Sequence, residues 1–134
     1  MTREWIRPLF LVAAVYDILL GLAFLVAFRP IYAAFGVTLP NHDAYVLFAA
    51  ALVAIFGIGF YFVARNPERN RDIIKLGVLL KLSYAGIVLA YSFRHEIPTM
   101  WVPFAYVDLL FMIAFLAALR VLSAGRVSAA GRQG

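Results

Sequence analysis

Residues 44–64 read AYVLFAAALVAIFGIGFYFVA, an apolar run without a charged side chain. A helix of about 20 apolar residues crosses the roughly 30 Å hydrocarbon layer of a bilayer, so this run is long enough to span a membrane. Backbone groups in lipid must find hydrogen bonds within their own segment, and a helix satisfies that requirement. The run therefore predicts a transmembrane helix.

Three further stretches of similar length flank this run, at about residues 8–28, 73–92 and 97–119. The chain is 65% hydrophobic and 14% charged, whereas soluble domains average about 45–50% and about 25%. The sequence thus predicts an all-α, integral membrane four-helix bundle with short loops over residues 1–122. The small, polar tail at 123–134 is predicted to be a disordered cytoplasmic segment.

Basic residues between the predicted spans are distributed unequally. Nine lie on the side of the termini and of the middle loop, and two lie on the other side. The nine are Arg3, Arg7, Arg65, Arg69, Arg71, Lys75, Arg120, Arg126 and Arg132; the two are Arg29 and Arg94. The positive-inside rule predicts that both termini and the middle loop are cytoplasmic. We expect a multi-pass protein of the bacterial inner membrane. This placement assigns the basic pI of about 9.9 to topology and argues against a nucleic-acid partner.

The loops suggest local assignments. Residues 29–43 are predicted to form a loop in the outer interface, with Tyr32 and Phe35 as anchors, and Trp101 is predicted to be another interfacial anchor. Asn41 or Asp43 is a candidate cap for the second helix, and Asn66 is a candidate cap ahead of Pro67.

Three ionisable residues, Asp17, Lys81 and Asp108, lie inside the predicted spans at similar depth. Facing lipid, they would cost together about 8–10 kcal/mol. We therefore expect them to face inward, with the lysine between the two aspartates. Three tyrosines close to them in sequence are candidates for the same polar site: Tyr16, Tyr84 and Tyr106.

Small residues predict where two helices approach closely. Gly21 follows Asp17 by one helical turn, and Ala50, Ala54 and Gly57 form a stripe on the second helix. Such stripes are the usual surfaces for close packing in lipid.

The buried charges allow two interpretations. They could be a structural ion-pair cluster that fixes which helices meet. They could instead form a functional pocket for a proton, an ion or a small ligand. Two carboxylates against one ammonium group leave one carboxylate without a full partner, which makes it a candidate proton acceptor.

Evidence for catalysis or metal binding is weak. The chain has no cysteine, no HExxH motif, no glycine-rich phosphate loop and no evident nucleophile–base pair. His42, Asp43, His95 and Glu96 could supply zinc or copper ligands, but their separate loops give no ligand spacing, and helix-start roles explain His42 and Asp43 equally well. We therefore predict no catalytic residues, cofactor or metal, and an enzyme is less expected than a non-catalytic protein.

Several segments carry a resemblance: GLAF in the first span, FGVTLP in the loop after it, and GIGFYFVARNPERNRDIIKLG across the middle turn. Together with the four short spans, they resemble the DoxX-like group of small bacterial membrane proteins. That resemblance implies a membrane subunit or accessory protein linked to quinone and redox metabolism, and it transfers no catalytic residue. Small multidrug transporters also have four helices and a carboxylate in the first, but this chain departs from them in its charge bias and in Lys81.

The function predicted from these features is an accessory subunit or a binder of a lipid- or quinone-like small molecule. The alternative is a proton-coupled transporter or channel for small solutes, working as an oligomer. Expected partners are membrane lipid and either further copies of the chain or a larger membrane complex.

Overall fold

The computed structural model describes residues 3–133, which form four long helices and one 3₁₀ turn, with no strand among them. The helices are α1 (Ile6–Ala34), α2 (Asp43–Arg65), α3 (Arg71–Phe93) and α4 (Val102–Gly131), and the 3₁₀ turn, Thr99–Trp101, directly precedes α4. Each helix is long and apolar enough to cross a membrane. The predicted all-α class and the four candidate spans are thus confirmed.

Helix α1 is longer than the predicted span and bends. The sequence predicted a loop from residue 29, but the helix continues through Pro30 to Ala34. A proline ring clashes with the carbonyl of the preceding turn and removes one hydrogen bond. The backbone accordingly leaves helical geometry at Ala27, with φ −136° and ψ 27°, and then resumes it.

The bend corrects the interfacial role predicted for Tyr32. This side chain is only 7% exposed and packs edge-on against the rings of Phe24, Phe28 and Trp101. Trp101, also predicted as an interfacial anchor, is partly buried by the same contacts. Phe35, beyond the helix end, is exposed.

Helix α4 includes most of the tail that the sequence predicted to be disordered. The structure has residues 123–131 in this helix, whereas the sequence predicts a disordered tail there; Gly134 lies outside the described residues. Arg71 of α3 donates to the carbonyl oxygen of Leu122 (3.2 Å) and to the hydroxyl of Ser123 (2.6 Å). These bonds hold the helix at the start of the tail, and the alanines that follow favour its continuation.

The predicted helix caps are also corrected. Asn66 accepts a hydrogen bond from the Arg69 amide within the turn and does not cap α3. Asn70 instead donates to the carbonyl oxygens of Phe62 and Asn66, each at 2.9 Å, and so satisfies the end of α2. At the start of α2 the cap position is His42, which makes no capping bond.

The four helices pack as two hairpins, α1 with α2 and α3 with α4. The first hairpin is close because its glycines have no side chain: a Cβ atom on Gly21 would lie 2.6 Å from the Ala50 carbonyl oxygen. A Cβ on Gly57 would lie 2.8 Å from the Ile18 nitrogen. The small-residue contact predicted from the sequence is confirmed.

The interior differs between the two ends of the bundle. At the end that carries both termini and the 66–70 turn, aromatic rings fill the space between the helices. Phe10 stacks on Phe115 with centroids 4.5 Å apart, and Phe60 meets Phe115 at 5.0 Å. We call this the packed end; the opposite end, with loops 35–42 and 94–98, is the open end because it contains a cavity.

Candidate functional site

Lys81 pairs with one carboxylate from each of the two hairpins. Its ammonium nitrogen donates to both oxygens of Asp17, at 2.9 and 3.0 Å, and to Oδ1 of Asp108 at 3.0 Å. The three residues lie on α3, α1 and α4 and are all buried. The structure thus confirms that they meet in the interior, and we call them the charge cluster.

Aromatic rings close the charge cluster on the side of the packed end. The ammonium nitrogen lies 5.2 Å from the ring centroid of Phe111, 5.5 Å from that of Tyr16 and 5.7 Å from that of Phe60. At such distances a ring face attracts a cation. The rings therefore stabilise the ammonium group and fill the space beneath it.

On the other side, the charge cluster forms the floor of a cavity of about 330 Å³. The walls are almost entirely apolar and come from all four helices. Tyr32, Tyr45 and Trp101 border the cavity at the open end and are called its mouth. Because Tyr45 and Ala49 of α2 are exposed and also line the cavity, it is partly open on that side.

The three candidate tyrosines have different positions. Tyr84 lines the cavity and donates a hydrogen bond to the Trp101 carbonyl oxygen at 3.1 Å. Tyr16 lies beside the charge cluster, and its buried hydroxyl has no partner among residues 3–133. Tyr106 is 54% exposed and points away from the site, since two residues on a helix differ by about 200° in direction.

The four residues considered as metal ligands are not assembled into a site. Asp43 forms an ion pair with Arg29 at 2.6 Å, and His42 packs against the Tyr45 ring. Within residues 3–133, no three His, Cys, Asp or Glu side chains are grouped so that they could hold a metal ion, and this includes His95 and Glu96.

Sequence reasoning missed the aromatic part of the cavity. Phe24, Tyr32 and Trp101 pack on one another there, with Phe24 and Trp101 centroids 5.6 Å apart. A signal was present on α1, where Asp17, Gly21 and Phe24 recur at helical spacing and so share one face. Extending that face from the buried charge would have identified Phe24 as a wall of the site.

The chain was compared with protein families, with curated proteins and with solved structures, and none of these comparisons finds a match. The similarity to DoxX-like proteins stays a prediction.

Proposed function

We propose that the protein spans the bacterial inner membrane four times, with both termini and the 66–70 turn in the cytoplasm, and binds one small apolar molecule inside the bundle. Large apolar side chains are exposed along every helix, and lipid is the environment in which such surfaces are stable. The unequal distribution of basic residues supports the orientation. The protein acts as a non-catalytic membrane component.

One observation carries the proposal: an apolar cavity whose floor is a buried cluster of charges. Small-molecule sites have volumes of about 300–1,000 Å³ with mainly apolar walls and a few polar groups that orient the ligand. The cavity, at about 330 Å³, suits a small molecule or a single short chain more than a whole phospholipid. The ligand would place its polar group on the floor and its apolar part along the walls.

The packed end favours binding over transport. A transported solute needs a path past the charge cluster, but Phe10, Phe60 and Phe115 fill the bundle on its far side. The arrangement supports a site that is closed toward the packed end and is reached from the open end and from the exposed side of α2. The proton-coupled transporter therefore ranks second.

Native mass spectrometry of the gently solubilised protein tests the proposal. We expect a small bound mass on the unmodified chain. Ala49→Phe should lose it, because Ala49 lines the cavity and a phenyl ring there occupies the ligand's space. Ala90→Phe is the matched control, since Ala90 is exposed on α3 and does not border the cavity. A chain without bound mass, or a mass that Ala49→Phe retains, would contradict cavity binding.

A further inference from the structure

In the charge cluster, all hydrogen-bond donors are used, whereas one acceptor is free within residues 3–133. An ammonium group has three donors, and Lys81 lies within 3.0 Å of three carboxylate oxygens. Every proton of the lysine therefore has a partner. A ligand group that only accepts hydrogen bonds, such as a carboxylate or a quinone carbonyl, finds no free ammonium proton.

Asp108 keeps one oxygen free. Its Oδ1 accepts from Lys81, whereas Oδ2 accepts no hydrogen bond from any residue between 3 and 133. The Asp108 side chain is also the most accessible of the three, at 10% exposure against 1% for Asp17 and 2% for Lys81. Since Asp108 borders the cavity, the polar group offered to a ligand is an acceptor.

The net charge of the cluster and the aromatic residues of the cavity walls both favour a positively charged ligand group at this acceptor. Two carboxylates and one ammonium group carry one net negative charge when all are ionised. Aromatic residues Phe24, Tyr84 and Trp101 also line the cavity, and the electron-rich faces of aromatic rings attract cations. A buried negative charge without full compensation is costly, so a cation that reaches it is bound strongly.

We infer that the cavity selects a short apolar amine, whose ammonium group donates to the free oxygen of Asp108 while its chain lies along the apolar walls. This inference rests on the proposed function and names the ligand class of the same site. Lys81 keeps its hydrogen bonds to Asp17. With the amine bound, two cations, Lys81 and the ligand, balance the two carboxylates Asp17 and Asp108, and the net charge of the cluster is zero.

Octylamine, octanol and octanoate, which share one alkyl chain, provide the test. The chain has two tryptophans, and Trp5→Phe leaves Trp101 at the mouth as the only reporter. Its fluorescence is measured during titration in phosphatidylcholine nanodiscs. We expect saturable binding of octylamine, about tenfold or more tighter than octanol. Both head groups donate to Asp108, but only the ammonium group carries a positive charge, which strengthens its hydrogen bond to a carboxylate. Octanoate should bind most weakly.

Two variants locate the selectivity. Asp108→Asn, in the Trp5→Phe chain, should bind octylamine no better than octanol. The double variant Asp17→Asn/Lys81→Met keeps one net negative charge at Asp108 and should retain the preference for the amine. Trp101→Phe, which keeps Trp5 near the packed end, reports partitioning into lipid and should show no saturable change.

The outcomes separate the two proposals. Equal or tighter binding of octanol or octanoate overturns the amine inference and leaves cavity binding supported. Saturable binding by none of the three probes counts against both. The comparison of the three octyl compounds needs only the Trp5→Phe chain. It therefore tests the inference even if one of the charge-cluster variants does not fold.

Discussion

Lys81 compensates two carboxylates from different helices with one ammonium group. Removing one partner of a buried ion pair leaves an uncompensated charge, which is much more costly than the pair itself is stabilising. The charge cluster thus ties α3 to α1 in a region where the hairpins otherwise meet through few close backbone contacts. Among its three members, Lys81 is the one whose removal leaves only like charges.

Lys81→Met should destabilise the fold by about 3–5 kcal/mol, because two carboxylates then face each other without a cation. Lys75→Met is the matched control on the same helix: Lys75 is exposed and pairs with the exposed Asp72, so its loss should change stability by less than about 1 kcal/mol. Unfolding in mixed micelles, followed by circular dichroism, compares the two. Equal stability of the two variants would show that the charge cluster does not hold the fold.

The two aspartates should differ in their effect on stability. Asp17 accepts two hydrogen bonds from Lys81 and is the most buried member, whereas Asp108 accepts one. We expect Asp17→Asn to destabilise the protein more than Asp108→Asn, by about 1 kcal/mol or more, since a hydrogen bond to a charged group contributes about 1.5–3 kcal/mol. The same unfolding assay measures both. The reverse order would contradict the hydrogen-bond pattern described.

Helix α1 approaches α2 so closely that two glycines are required at the contact. A Cβ atom on Gly21 meets backbone atoms of Ala50 and Ala54, and backbone cannot rotate away as a side-chain tip can. Lengthening the distance between these helices would also displace Asp17, which lies one turn from Gly21. The small residues and the charge cluster therefore depend on each other.

Gly21→Ala should cost about 1–3 kcal/mol through overpacking. Gly86→Ala provides the control, because a Cβ at Gly86 meets nothing within 4 Å, and alanine in a helix is favoured over glycine by up to about 1 kcal/mol. The two substitutions should thus change the unfolding midpoint in opposite directions. If both substitutions stabilise the protein, the helices α1 and α2 do not pack as closely at Gly21 as described.

Hydropathy predicted the helices well but not their ends. The spans are long apolar runs, so their existence follows from the composition of each segment. The ends depend on tertiary contacts: Tyr32 continues α1 past Pro30 by packing on Trp101, and Arg71 holds α4 past residue 122. Sequence signals for helix ends, such as a proline or a polar segment, predict that these helices end earlier. Those signals do not include the tertiary contacts that extend the helices.

The charge cluster was predictable for a different reason. Three charges at one depth in an apolar bundle have a single low-energy arrangement, in which they face one another, and the structure has it. The cavity was not predictable, because aromatic residues near a helix end serve equally as interfacial anchors and as walls. Tyr32 and Trp101 were assigned to the first role and have the second.

The proposed orientation can be measured on the whole protein. Because the chain lacks cysteine, single cysteines introduced at Asn41 and Ser128, both exposed, provide unique labelling sites. With nine basic residues on one side and two on the other, we expect a membrane-impermeant maleimide to label Asn41→Cys on intact spheroplasts and Ser128→Cys only after lysis. Labelling in the opposite pattern, or of both sites from outside, would contradict the assignment.

The bend at Ala27 has a kinetic consequence for anything held in the cavity. It directs the last two turns of α1 so that Tyr32 reaches Trp101 and Phe24, and these rings stand between the interior and the nearer exit. A captive molecule then has two exits, one past these rings and one along α2, where Tyr45 and Ala49 are exposed. Aromatic motion at the rim controls how fast the first exit opens, while Asp108 on the floor of the cavity sets selectivity, so evolution could adjust either one without the other.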